Sequence, residues 1–194
     1  MAGTGCAPAG VDRPFGTIYL IGYRGAGKTT VGRQLAGEIG LEFRDLDDAI
    51  EDRAGMSISD IFAGEGEAGF RAREARELEA LAGEGRPAVV ATGGGIVLAD
   101  ANVKLLRSTG HVVWLRAPAE VLRGRLARDS TTASRRPALA GKSALDEVER
   151  VLAAREPLYR TAAHFEIDTG ACGPDEAARR IIAEIGAWTT RKGS

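Results

Sequence analysis

The chain has 194 residues, 44% of them hydrophobic and 27% charged, a balance that suits one globular domain with an ordinary buried core. Its 26 basic and 27 acidic residues leave a net charge of −1, which argues against a surface built to wrap nucleic acid. Cys6 and Cys172 lie outside any Cys-x-x-Cys or zinc spacing, as in a reduced cytosolic protein, and no apolar run reaches the roughly 20 residues that span a bilayer.

Residues 1–16 are rich in Gly, Ala and Pro, lack the pattern of a signal peptide, and are expected to form a disordered tail. Thr17–Ile21 then reads as a buried strand. Thr29–Ile39 reads as a helix, with Val31, Leu35 and Ile39 on one side and Gly40 as its stop. Glu42–Leu46 is expected as a second strand and Phe70–Ala82 as a helix. Ala88–Ala91 is expected as a third strand, ended by Gly93, Gly94 and Gly95, and His111–Leu115 as a fourth, with Trp114 in the core. Pro118 suits the first turn of a helix that runs to about Arg128. Residues 129–142 are polar, basic and loop-like, and Ser143 with Asp146 forms a capping-box pattern for the next helix. His164–Ile167 is expected as the fifth strand and Pro174–Ala187 as the last helix, followed by a tail over 188–194 in which Trp188 is exposed. Neither His111 nor His164 has a ligand partner at metal-binding spacing, so both read as structural. Strands alternating with helices predict a parallel sheet covered on both faces, with ligands at the carboxyl ends of its strands.

Gly22-Tyr-Arg-Gly-Ala-Gly-Lys28-Thr29 matches G-x-x-x-x-G-K-[ST] between a strand and a helix. In such a loop the backbone N–H groups of Gly25, Ala26, Gly27, Lys28, Thr29 and Thr30 cradle phosphates at a helix N-terminus. Lys28 adds a point charge for the β and γ phosphates, and Thr29 offers a hydroxyl to Mg²⁺. The motif points to a nucleoside triphosphate without naming the reaction. No guanine-reading N/T-K-x-D follows, and the third strand ends in glycines rather than the Asp-Glu of a motor ATPase. Asp45 and Asp47 are two apart, so in an extended segment they share a face, one for Mg²⁺ and one for an acceptor hydroxyl; an acidic surface turn is the plainer reading. Glu67, Arg71 and Glu74 share a helix face, as an arginine clamped for an anion would. Arg73, Arg76, Glu77 and Glu79 read as solvated surface.

Taken together and in this order, Gly22–Thr30, Asp45-Leu-Asp47, Ser57–Phe62, Gly66–Glu74, Gly93–Gly95, Arg136-Pro137 and Arg155–Tyr159 resemble the shikimate kinase family. The resemblance runs from about Ile18 to Ile185. It implies an α/β, three-layer P-loop NTPase fold. In that fold a five-stranded parallel sheet of order 2-3-1-4-5 is flanked by helices, and a mobile lid and a substrate-binding region are attached to it. On this chain the kinase domain would be residues 17–187, with the substrate-binding region at about 45–75 and the lid at about 129–142. The implied activity is Mg²⁺-dependent transfer of the γ-phosphoryl group of ATP to the 3-hydroxyl of shikimate, giving 3-phosphoshikimate and ADP for aromatic amino-acid synthesis. A related hydroxy acid such as gluconate is the alternative acceptor. The family's metal-binding hydroxyl maps onto Thr29 and its Mg²⁺-associated aspartate onto Asp45. The acceptor-binding aspartate maps onto Asp47, and the two carboxylate-binding arginines onto Arg71 and Arg155. Gly93, Gly94 and Gly95 match backbone that lines the acceptor, and Phe62 and Phe70 match walls of its pocket. Arg136 matches a lid arginine that reaches the phosphates, and Arg128 the arginine that stacks on adenine. The chain departs from the common pattern at Tyr23-Arg24 in the phosphate loop and at Ala138 beside the lid. The expected enzyme is a cytoplasmic monomer acting on a small molecule, with neither nucleic acid nor membrane as partner.

Overall fold

Five short strands form: β1 (Thr17–Ile21), β2 (Glu42–Asp45), β3 (Ala88–Ala91), β4 (Gly110–Arg116) and β5 (Phe165–Asp168). They come from a computed structural model that describes residues 15–128 and 144–192. All neighbouring strands are parallel, in the order β2-β3-β1-β4-β5. Among the described residues seven helices connect and cover them: α1 (Lys28–Ile39), α2 (Leu46–Ala54), α3 (Ile58–Gly83), α4 (Asp100–Thr109), α5 (Ala119–Arg128), α6 (Ala144–Ala162) and α7 (Pro174–Lys192). A short 3₁₀ turn spans Ile96–Leu98.

The side chains of β1 alternate between two cores, as period-two geometry requires. Ile18 and Leu20 face a core shared with Val31 and Leu35 of α1 and Ile181 and Ile185 of α7. Tyr19 and Ile21 face a second core with Ile50 of α2, Phe70 and Leu78 of α3, Leu106 of α4 and Tyr159 of α6. All four β1 residues from Ile18 to Ile21 are 0% exposed, so the strand is apolar on both faces, as a covered parallel sheet demands. Thr92 stitches the end of β3 to β1, since its N–H and its hydroxyl both donate to the Leu20 carbonyl, at 3.1 and 3.0 Å.

Five elements, β2, α2, α3, α4 and α7, differ from the sequence expectation. β2 stops at Asp45, and Leu46 already begins α2; the Asp45 carboxylate caps that helix by accepting from the Asp47 N–H at 3.1 Å. Helix α3 starts at Ile58 rather than near Phe70, with Ser57 as its N-cap, and contains one break at Gly66, where φ is 68°. Three glycines at 64, 66 and 69 thin the apolar pattern there. Helix α4 went unpredicted because Leu105 and Leu106 are surrounded by polar residues. Helix α7 runs on to Lys192, and Trp188 is half-buried, packing edge-on to His164 and Phe165 with ring centroids 4.8 and 5.2 Å away. Glu77, expected at the surface, is buried and paired with Arg53. Cys6, the tail before Phe15, the expected lid and the capping pattern at Ser143 lie outside the described residues.

Helix α6 carries two of the side chains that matter below, and α4 holds its end in place. Arg107 Nη1 donates to the carbonyls of Thr161, Ala162 and Ala163 at 3.1, 3.0 and 3.1 Å. This places a cation on the negative end of the helix dipole and satisfies carbonyls that have no partner within the helix. Arg107→Ala is expected to lower the free energy of unfolding by about 1–2 kcal/mol, given the strength of charged hydrogen bonds. Urea denaturation should show a lower midpoint at unchanged slope.

Candidate active site

The chain leaves β1 at Gly22 with φ 140°, hard against β4. A β-carbon at this position would lie 2.4 Å from the Leu115 carbonyl oxygen, so the turn requires glycine. Beyond it the loop closes through a hydrogen bond from the Ala26 N–H to the Tyr23 carbonyl at 3.1 Å. Lys28 opens α1 and folds back over the loop, its Nζ donating to the carbonyls of Gly22 and Tyr23 at 2.9 and 3.0 Å. The ammonium group is thereby held over the loop at the start of α1, where the helix dipole also favours anions.

This loop opens on a cavity of about 1,070 Å³. Its floor is Gly25, Ala26, Gly27, Lys28, Thr29 and Thr30, the residues the sequence motif selects. Asp45, Asp47 and Asp48 line one side. Arg24, Arg33 and Arg125 bring further cations to the walls, and Cys172, Gly173 and Pro174 form another part of them. The cavity therefore combines cations beside the loop with three carboxylates on one flank, a pattern fit for polyphosphate and a divalent cation.

Asp45 and Asp47 meet the cavity by a route other than the shared face of a strand. Asp45 ends β2, whereas Asp47 sits in the first turn of α2. The Thr29 hydroxyl donates to Asp45 Oδ2 at 2.8 Å, linking the phosphate loop to the end of β2. Burial pushes the Asp45 carboxyl above the usual carboxylate range, and the charges of Asp47 and Asp48 add to this against the hydrogen bonds from Thr29 and the Asp47 N–H. Among the described residues no three His, Cys, Asp or Glu side chains are placed to hold a metal by themselves.

Asp47 and Gly94 line the cavity, whereas Arg71 and Arg155, the two arginines selected from the sequence, do not line it and meet the glycine turn behind Gly94. Arg71 packs on Gly95, where an added β-carbon would lie 2.3 Å from its guanidinium. Arg155 of α6 donates through Nη1 to the Gly94 carbonyl at 3.3 Å. The two side chains are thus bracketed by adjacent glycines. Arg71 is held by Glu74, which is 0% exposed and pairs with it at 2.6 Å, and by Glu67 at 3.3 Å. Beneath it Phe70 lies 5.2 Å from the guanidinium carbon and stacks on Phe62 with centroids 4.8 Å apart. Gly93 is buried in the same turn, its carbonyl accepting from the Ile96 N–H at 3.1 Å.

Two expectations for the nucleotide end fare differently. Arg136 lies outside the described residues. Arg128 is exposed at the end of α5 and does not line the cavity, whereas Arg125, one turn earlier, does. Arg125 donates to the carbonyls of Gly25 at 3.2 Å and Thr169 at 2.6 Å, and so ties the phosphate loop to the segment after β5. The Thr169 hydroxyl completes this knot by donating to the Ala26 carbonyl at 3.0 Å. The sequence holds several arginines between 123 and 136, and only the helix phase of α5 selects Arg125 among them. Tyr159, read only as part of a motif, proves to be a buried donor to Gly94.

The chain is similar to known proteins over most of its length. The family model for shikimate kinase matches residues 24–186. The shikimate kinase of Rhodopirellula baltica is 47% identical over 166 residues, which cover 85% of this chain and 88% of that protein. A shikimate kinase from Acinetobacter baumannii, solved in complex with shikimate, matches with a TM-score of 0.83 at 40% identity over 90% of this chain and 95% of its own. A gluconokinase from Sinorhizobium meliloti, at 18% identity and a TM-score of 0.56 over 92% of this chain and 96% of its own, shares the fold alone. With its parallel sheet, its phosphate loop and these matches, the chain belongs to the shikimate kinase family.

Proposed function

We propose that the chain transfers the γ-phosphoryl group of ATP to the 3-hydroxyl of shikimate, giving 3-phosphoshikimate and ADP. The observation that carries this reading is the meeting of two sites at Gly94. Gly94 lines the phosphate-loop cavity, and the clamped Arg71 and the helix-borne Arg155 stand beside the Gly94-Gly95 turn. Two guanidinium groups suit one carboxylate, and Asp47 with the glycine backbone suits hydroxyls.

In this reading the triphosphate lies on residues 25–30, with Lys28 turning from the loop carbonyls to the β and γ phosphates. The base lies toward Arg125 and Cys172–Pro174. Arg71 and Arg155 hold the acceptor carboxylate, and Phe62, backed by the buried Phe70, supports its ring. Asp47 orients the 3-hydroxyl. The hydroxyl oxygen forms the new P–O bond, the bond from the γ-phosphorus to the β–γ bridging oxygen breaks, and the hydroxyl proton passes to Asp47 or to solvent. A loose transition state asks mainly for such positioning and for charge stabilisation. Thr29 and Asp45 fit Mg²⁺: both are hard oxygen donors, and a desolvated carboxyl beside two other acids gains from a cation. Bound there with the nucleotide, Mg²⁺ would neutralise phosphate charge. Action as a cytoplasmic monomer on a dissolved small molecule rests on the resemblance to the family. The net charge of −1 suits a protein without nucleic acid or membrane as partner.

The direct test is ADP release from ATP and Mg²⁺, with shikimate, with gluconate and with neither. Release is expected only with shikimate; release with gluconate alone would move the acceptor assignment to that class. Lys28→Met is expected to reduce turnover about 100-fold or more. Asp47→Asn should reduce it by roughly 100-fold or more while ATP binding by calorimetry stays near wild type. Near-normal turnover of Asp47→Asn would remove that residue from the mechanism.

The raised pKa of Asp45 predicts a trade between stability and activity. Folding favours the protonated form, so the charged carboxylate opposes folding once the pH exceeds its folded pKa, and the opposition vanishes below its unfolded value. Asp45→Asn keeps an acceptor for the Asp47 N–H. It is expected to raise the melting temperature of the ligand-free chain at pH 7, with the gain shrinking as the pH falls from the raised folded pKa to the ordinary carboxylate value and absent below that, and to lose Mg²⁺-dependent turnover. A gain in melting temperature that does not vary with pH would contradict this.

A further inference from the structure

The Gly94 carbonyl is held twice from one helix. Arg155 Nη1 donates to it at 3.3 Å, and the Tyr159 hydroxyl, one turn further along α6, donates to it over a shorter distance. Gly94 is buried and Tyr159 is 0% exposed. The two donors differ in how firmly they are fixed. Arg155 is half-buried and its bond is long for N–H···O. The Tyr159 ring is stacked on Trp114, with centroids 5.8 Å apart and planes at 25°. Gly94 also abuts the phosphate loop: a β-carbon on it would lie 3.4 Å from the Gly22 carbonyl oxygen and 3.5 Å from the Arg24 nitrogen.

A carbonyl oxygen has two lone pairs and accepts both donors at once. When the Arg155 guanidinium turns to a carboxylate, its long bond to Gly94 is the one to give way. A buried carbonyl then left with no donor would oppose the turn, weakening acceptor binding roughly five- to hundredfold. We infer that Tyr159 is a positioning residue for the acceptor: its hydroxyl keeps the Gly94 carbonyl satisfied, so that Arg155 is released to the acceptor carboxylate while the glycine turn stays seated against the phosphate loop. This rests on the assignment of Arg155 to the acceptor carboxylate.

The test is a double-mutant cycle on the full chain, with shikimate affinity measured by calorimetry. Tyr159→Phe is expected to raise the shikimate Kd and KM about five- to hundredfold and to leave the KM for ATP within about twofold, since only acceptor binding draws on Arg155. Arg155→Ala is expected to weaken shikimate as well, and adding Tyr159→Phe to it should weaken binding no further, because no guanidinium remains to be released. Trp114→Phe, which loosens the ring stack and leaves the hydroxyl, should lower the melting temperature without changing shikimate affinity. If Tyr159→Phe binds shikimate like wild type while Arg155→Ala does not, the inference falls and the Arg155 assignment stands. If Arg155→Ala binds normally, the assignment itself falls. Equal losses from Tyr159→Phe in both backgrounds, or an equal loss from Trp114→Phe, would mean general loosening and overturn the inference. Should Tyr159→Phe not fold, carbonyl-¹³C glycine NMR decides on the wild-type chain. The Gly94 resonance should move on saturation with shikimate, and by less in Arg155→Ala saturated likewise; equal shifts in the two chains, or a stationary wild-type resonance, overturn the inference.

Discussion

At Gly22 the backbone passes so close to the Leu115 carbonyl of β4 that no β-carbon fits, and the geometry of the site follows from that contact. It can exist only because β1 lies between β3 and β4 in a parallel sheet. The central strand therefore delivers its loop to the carboxyl edge, where the ends of β2 and β3 also arrive. Lys28 takes its position from the Gly22 carbonyl, Thr29 reaches Asp45 at the end of β2, and the glycine turn after β3 rests on the same loop. Parallel topology puts these loops together without help from sequence proximity.

The site is organised by pairs of unequal charge. Three cations are already held in the ligand-free chain: Lys28 by loop carbonyls, Arg71 by the buried Glu74, Arg125 by Thr169 and Gly25. Holding a guanidinium before the anion arrives lowers the ordering cost at binding. Asp45 is the opposite case, a carboxylate whose burial opposes its charge until a cation is near. Stability lost at such a position is the usual mark of a group kept for binding.

Much of this was legible in the sequence because the chemistry is local. The phosphate loop is eight contiguous residues with a required context, and Glu67, Arg71 and Glu74 declare their common face through helix spacing alone. What was not legible depends on phase or on distance along the chain. The spacing puts Asp45 and Asp47 on one face of an extended segment, whereas a helix begins between them and separates a cap from a first-turn side chain. Arg125, which no motif singles out, lines the cavity through the turn of α5. Helix α3 hid behind glycines that its one break uses, and α4 behind a polar surface. Tyr159 and Gly94 are 65 residues apart, so their bond has no local signature.

The central claim is that a nucleotide site and a carboxylate site meet closely enough for direct transfer between them. Phosphorus NMR of a reaction containing the chain, ATP, Mg²⁺ and shikimate tests it without a coupled assay. The account predicts a new phosphomonoester resonance growing one for one with ADP, and no inorganic phosphate. Inorganic phosphate appearing in step with ADP would show that water, not a bound hydroxyl, occupies the place beside Asp47 and Gly94, and would contradict the account.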